Sequence, residues 1–483
     1  MKKYLFLCLC FLMFFSVCIN AQKDRVTTET FPQFLEKAEN GDVNAQYALG
    51  IYYAMGYEVT KNYKEAFKWF KKSAEQDYPS AQYALGRCYE AGEGVTQDYK
   101  EAIKWYTESA EQGYPSAQFA LGRCYEDGKG ITQDYKEAVK WYTKSSEQDY
   151  PSAQYALAEC YEFGNGVAQD SEKAFNWFMK SAKLENINAQ YMVGWCYELG
   201  EGVTQNDKEA FNWYMKSAEQ GYPSAQYAMG RCYEADEEGV YDLEKAIKWY
   251  TKSAEQGFDK AQYLLGTYYT MGFGVTKSYT EAVKWYRKAA EQGYLSAQFS
   301  LAECYEFGRG VIKNKKEAIE WYTKAAEQGN IDVQYGGDSV EERNKWYIKS
   351  TKQEHSDAQF VQEHSDAQFI VGRYYYNGDG VTQDYEEAVK WFTKSAEQEN
   401  SDGQYRLGLC YELGKGLDQS YSNAVKWYKK SVEQENKHAQ FTLGMCYYYG
   451  NGVKQDKKEA KQLLEKSMEQ GNEVAADALA ELF

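Results

Sequence analysis

Ala81-Gln82-Tyr83-Ala84-Leu85-Gly86-Arg87-Cys88-Tyr89-Glu90-Ala91-Gly92-Glu93-Gly94-Val95 opens a phrase that this chain repeats at a fixed interval. Its Ala-Gln pair stands at Ala45, Ala81, Ala117, Ala153, Ala189, Ala225, Ala261 and Ala297, 36 residues apart each time. After an interruption the register returns at Ala367, Gly403, Ala439 and Ala475, again 36 apart. A period of this size implies units that bury their apolar faces only by stacking on their neighbours. The predicted architecture is therefore an all-α solenoid of stacked antiparallel helix pairs. Such a chain offers a long surface rather than one cleft.

The phrase spells a helix pair. Ala81, Ala84, Leu85, Cys88 and Tyr89 fall at helical spacing on one stripe. Pro79 sits where a first-turn proline is tolerated. Gly92 and Gly94 supply the turn that ends the first helix. Asp98 with Glu101 resembles a capping box and opens a second helix. Tyr99, Ala102, Ile103, Tyr106 and Ala110 form its stripe, with Trp105 beside it, and Gln112-Gly113 closes it. Gly86, Ala102 and Ala110 are small enough to let neighbouring helices approach.

The pattern Ala-Gln-Tyr-x-Leu-Gly-x-x-Tyr, then Gly-x-Gly-Val, then Asp-Tyr-x-x-Ala-x-x-Trp-Tyr and a closing Ala-Glu-Gln-Gly resembles the Sel-one-like repeat, a relative of the tetratricopeptide repeat. The resemblance covers nearly the whole chain after its first residues. It implies a right-handed superhelix whose first helices line a concave face, and a role as adaptor or scaffold. A cysteine-rich branch of that family carries paired cysteines in each repeat, and some members are credited with β-lactamase activity. Here each repeat has one Cys, and no Ser-x-x-Lys offers an acylation site.

The expected layout is a signal peptide at 1–21, a linker and half-repeat at 22–44, eight repeats over 45–330, and a degenerate joint at 331–366. Three repeats at 367–474 and a half-repeat at 475–483 follow. Lys2 and Lys3, the apolar run Leu5–Val17 and Ile19-Asn20-Ala21 read as an export signal, which places the protein in the periplasm or outside the cell. Lipid attachment at Cys18 is the alternative. Residues 31–41 resemble the end of a second helix, and Ala475–Phe483 the start of a first one. In the joint, Trp346 follows Val333 by 13 residues where other units have 24, and Gln353–Phe360 is copied at Gln362–Phe369. A bend or weak point is expected there.

The net charge of −17 disfavours nucleic acid and anionic membranes as partners. Beyond the first segment no apolar run could span a bilayer. Cys88, Cys124, Cys160, Cys196, Cys232, Cys304, Cys410 and Cys446 recur at one fixed place. Equivalent places on stacked helices lie about 8–10 Å apart, too far for a disulfide, so these read as small buried hydrophobes. The three histidines, His355, His364 and His438, read as loop or helix-edge residues with no nucleophile beside them. The Gly-x-Gly follows a helix and lacks a third glycine, so no phosphate or dinucleotide loop is expected. No catalysis, metal or cofactor is expected.

Partner-binding candidates come from the places that vary on the first helix. The residue two after the Ala is always aromatic, as at Tyr83, Phe119, Tyr155, Tyr191 and Tyr227. With the places six and nine after the Ala it lies opposite the core stripe. The six-place holds Arg87, Arg123, Glu159, Trp195 and Arg231 in succession, and the nine-place is mostly Glu, as at Glu90 and Glu126. One reading makes the aromatic ladder a groove for an extended peptide or partner helix. The other makes it framework between neighbouring helices. Trp195 is singled out, because the other eleven tryptophans hold the second-helix place. The expected function is a scaffold binding protein or peptide, with a carbohydrate- or peptidoglycan-binding module as the rival and β-lactamase-like activity a distant third.

Overall fold

The structure is a computed structural model that describes residues 31–234, 242–328 and 356–483, and at 356–361 the backbone alone. The expected signal segment lies outside these residues, as do Trp346, His355 and most of the joint. Among the described residues there are 24 helices and no strand. The chain forms two compact units, Met1–Lys216 and Ser217–Phe483.

In each unit first and second helices alternate, every helix packing on the next. Pro79–Ala91 and Tyr99–Glu111 are one such pair. Pro79 starts the first helix and Gly92, at φ 71°, ends it in the left-handed conformation. Asp98 caps the second helix by accepting from the amides of Lys100 and Glu101. Gly94 has a second role besides its φ of 77°: a Cβ there would stand 2.1 Å from the Tyr63 carbonyl oxygen of the preceding repeat. The Gly-x-Gly turn is thus seated on the start of the previous second helix. Along the interior, Leu85, Tyr106, Ala102 and Ala110 are at most 2% exposed. Gly86 leaves room for the Tyr106 ring, whose Cδ1 would lie 2.6 Å from an added Cβ.

Polar side chains stitch these layers together. The Ser109 hydroxyl donates to the Pro79 carbonyl at 2.7 Å, tying the end of the second helix to the start of the first. The glutamine of each Ala-Gln pair is buried. Gln118 donates to the Ala110 carbonyl of the preceding repeat at 3.2 Å and accepts from Gln148 of its own at 2.8 Å. The same two bonds recur at Gln46, Gln82, Gln226, Gln262, Gln298 and Gln404.

None of the eight cysteines among the described residues forms a disulfide, and all but Cys232 are buried. Burial pushes the thiols up, Cys88 to about 12 and Cys410 to about 11, so they stay protonated and inert. Helices Phe31–Glu39 and Glu473–Leu482 stand where the sequence places partial units.

The joint differs from expectation. On either side of it the described residues pack in unbroken sequence. Gln368 donates to the Ala326 carbonyl at 3.4 Å, and Tyr322 meets Tyr374 at 6.3 Å. Gly380 abuts Lys315 and Ile319, as each Gly-x-Gly turn abuts the preceding second helix. The repeat beginning near Ser365 packs directly on the one that ends near Gln328, because it carries the same frame residues. His364 is not an exposed loop residue either. The second copy of the duplicated segment lies within the long helix Ser356–Asn377, which buries His364 with Nδ1 3.1 Å from the Ala325 carbonyl and Nε2 2.8 Å from Gln368. His438 lies inside a helix, stacked on Tyr405.

Replacing Gln118 with Leu keeps the volume but removes its bonds to the Ala110 carbonyl and the Gln148 amide. The expected loss is about 1–3 kcal/mol in urea unfolding. Gln97→Leu, at an exposed clamp on the Glu90 carbonyl, is expected to cost less than about 1 kcal/mol.

Candidate functional site

The two-, six- and nine-places of the first helices form one row per unit, and much of that row is framework. The ladder rings are half-buried. Tyr83 packs on Tyr106 at 5.8 Å and Tyr114 at 5.7 Å, and Phe119 on Tyr142 and Tyr150 at 5.7 and 5.5 Å. Tyr155 meets Phe178 at 5.5 Å, Tyr191 meets Tyr214 at 5.5 Å, and Tyr227 lies between Tyr250 and Phe258. Each ring engages its own second helix, and Tyr83, Phe119 and Tyr227 also meet the entry of the next repeat. The first helix is covered on two sides, so the place opposite its stripe is not a free surface. Faces so engaged are poorly placed to stack on sugars.

The nine-place glutamates are committed as well. Glu90 accepts the hydroxyl of the buried Tyr106 at 2.5 Å, and Glu126 that of Tyr142 at 2.5 Å. Tyr250–Glu234, Tyr322–Glu306 and Tyr428–Glu412 repeat the bond. A buried phenol needs an acceptor, and this carboxylate supplies it. Burial nevertheless raises Glu126 above the usual carboxylate range, although the Tyr142 hydrogen bond works to lower it.

The six-place is where neighbours differ. Arg87 is half-buried; burial opposes its charge, but Tyr83, Tyr106 and Glu90 outweigh that and hold the guanidinium above its ordinary value. Arg123 is exposed, 3.8 Å from Asp127. Arg231 is half-buried. Trp195 differs from expectation: at 8% exposure it is packed into the row rather than presented.

Glu159, present at the six-place but not singled out there as a candidate, is a strongly perturbed carboxyl of the row. Burial and the charge of Glu126 push it up to about 8, against a lowering hydrogen bond from Tyr155. The octet Leu-Ala-Glu-Cys-Tyr-Glu-Phe-Gly at 157–164 recurs at 301–308, and burial raises Glu303 too. That repetition was the available signal. In the first of these repeats Phe178 takes the place of the tyrosine that elsewhere bonds the nine-place, and Glu162 is 2% exposed.

Among the described residues no group of His, Cys, Asp and Glu is arranged to hold a metal ion. None of their helices is long and apolar enough to cross a membrane.

A repeated helix pair with a fixed stitching and one variable place per unit defines an α-solenoid scaffold. The Sel1 repeat signature matches at 43–78, 79–114, 115–150, 151–186, 187–222, 223–258, 259–294 and 295–330, and again at 365–400, 401–436 and 437–472. The chain belongs to the Sel1 repeat family. Among solved structures it is similar to c5321, described as a protective antigen present in uropathogenic Escherichia coli strains displaying an SLR fold. The identity is 34% over 94% of this chain and 90% of that one, with a TM-score of 0.65. A Sel1 repeat protein from Oxalobacter formigenes is 33% identical over 66% of this chain and 89% of that one, with a TM-score of 0.49. No curated protein matches the chain.

The raised Glu159 has a signed consequence. Its folded value lies above the unfolded value of 4.5, so the folded state holds the extra proton between 4.5 and about 8. Stability therefore falls as pH rises through that window. Glu159→Gln is expected to match the wild type in thermal unfolding at pH 4.5. At pH 9 it should exceed it by on the order of 1–3 kcal/mol, from removal of a poorly solvated charge.

Proposed function

We propose that this protein is an exported scaffold that holds protein or peptide partners along its first-helix row, with the six-place residues choosing the partner. The observation that carries the reading is the contrast within one repeat. The two- and nine-places are tied into the framework, while the six-place changes from unit to unit on a fixed frame and stays open at Arg123 and partly open at Arg87 and Arg231. Binding by a variable place on a constant support is how repeat scaffolds acquire specificity. The Sel1 family supports a scaffold role over an enzymatic one. Export is supported by the basic start, the apolar run Leu5–Val17 and the small residue Ala21.

In-cell crosslinking of the tagged protein beside an Arg123→Glu, Arg231→Glu twin tests the binding face. A partner captured by the wild type and lost by the folded twin is expected; equal capture would move binding off the row. Mass measurement of the exported protein tests the leader. A chain starting at Gln22 is expected, and retention of residues 1–21 in the cytoplasmic fraction would overturn the export reading.

A further inference from the structure

The exposed side of the second helices carries a row of its own. In the first unit Lys72, Lys144, Lys180 and Lys216 each lie over the tryptophan three residues earlier, with the ammonium 3.8–4.1 Å from the ring centroid. The second unit repeats the pair from Lys252 on Trp249 to Lys430 on Trp427, at 3.7–4.4 Å. These lysines are exposed, and among the described residues none is ion-paired to a carboxylate. Several lysines just before a tryptophan behave otherwise: Lys68 pairs with Glu65 at 2.6 Å, Lys140 with Glu137, and Lys284 with Glu281 at 2.7 Å. In most repeats one ammonium is thus kept from neutralisation and held in place by an indole face. Cation–π contact fixes a flexible side chain in advance, which lowers the ordering cost of binding an anion.

Spacing and surroundings narrow the class of ligand. Each second helix packs on the first helices before and after it, so successive ammoniums are separated by at least the breadth of a helix, about 10 Å. Exposed Glu75, Glu147 and Glu219 stand nearby, on a chain of net charge −17. A duplex nucleic acid, with a charge about every 1.7 Å, would meet those carboxylates at every repeat. A polymer with widely spaced charges would not. We infer that the Lys–Trp row is a docking surface for a sparse linear polyanion, an acidic polysaccharide bearing a carboxylate on every second sugar. The first unit offers its uninterrupted stretch at Lys144, Lys180 and Lys216, since Glu108 stands in the lysine place of the repeat before. This surface is separate from the first-helix row, so either assignment can fail alone.

The test is titration of the full chain with hyaluronan at low ionic strength, read by tryptophan fluorescence and calorimetry, with single-stranded DNA of equal length and neutral dextran beside it. Saturable hyaluronan binding that weakens with salt is expected. Lys144→Gln, Lys180→Gln, Lys216→Gln together should lower the affinity about tenfold or more. Lys68→Gln with Lys140→Gln, which removes only ion-paired lysines, should change it less than about twofold. Absence of hyaluronan binding, or equal loss in both variants, would overturn the assignment. So would DNA bound as tightly with the same dependence on the triple substitution.

Discussion

The stack depends on one buried amide per repeat. A helix ends with carbonyls that its own backbone cannot satisfy, and in a solenoid some of these are covered by the following unit before water can reach them. The Ala110 carbonyl accepts the Gly113 amide of its own closing turn, and Gln118 from the next repeat adds a second donor to it. The other end of that amide accepts from Gln148, which closes its own repeat. Each glutamine therefore fixes the seat of one unit on the last and the closure of the unit that carries it. An apolar residue would fill the space but give up both bonds, and a shorter amide would not span them. Stacking that is otherwise nondirectional becomes registered to a single turn of helix.

The same device explains why the garbled joint leaves no break in the packing. A single-core domain that lost 11 residues from a helix would lose its closure. Here the requirement is only that the next unit present an amide to the Ala326 carbonyl and a small-residue turn to Lys315. Gln368 and Gly380 do both. His364 adds a buried contact that the regular units lack, because the helix begins at Ser356 rather than at a cap beside the Ala-Gln pair. Nearest-neighbour coupling asks only that two well-formed repeats present matching faces, whatever sequence separates them.

What could be read in the sequence follows from the range of each interaction. The helix pair, its proline start, its glycine stop, the Asp98 cap and the buried cysteine all depend on residues within one repeat, so local pattern disclosed them. The roles of Gln118, Glu90 and Gly94 depend on where one repeat touches itself at a distance or touches the next. Glutamine and glutamate read as solvated when met singly. Their strict recurrence was visible, but recurrence alone does not say whether a polar residue is held by a partner or left for a ligand. Trp195 was misjudged for the opposite reason: an off-pattern residue looked displayed, whereas its large ring packs into the row.

That distinction bears on function, because a repeat protein can vary only where its frame asks nothing. At the two-place a ring is needed against Tyr106 or its equivalent, and at the nine-place an acceptor is needed for that tyrosine's hydroxyl. Where Phe178 replaces the tyrosine, a carboxyl still stands at Glu162, buried, three residues from Glu159, which burial raises above the usual carboxylate range. A carboxyl raised in the folded state opposes stability once pH exceeds its unfolded value. The octet that carries Glu159 returns at 301–308 with Glu303, so the cost is met twice in one chain at the same place. A place whose occupant changes while the ladder ring and its acceptor stay fixed is the one that the frame constrains least.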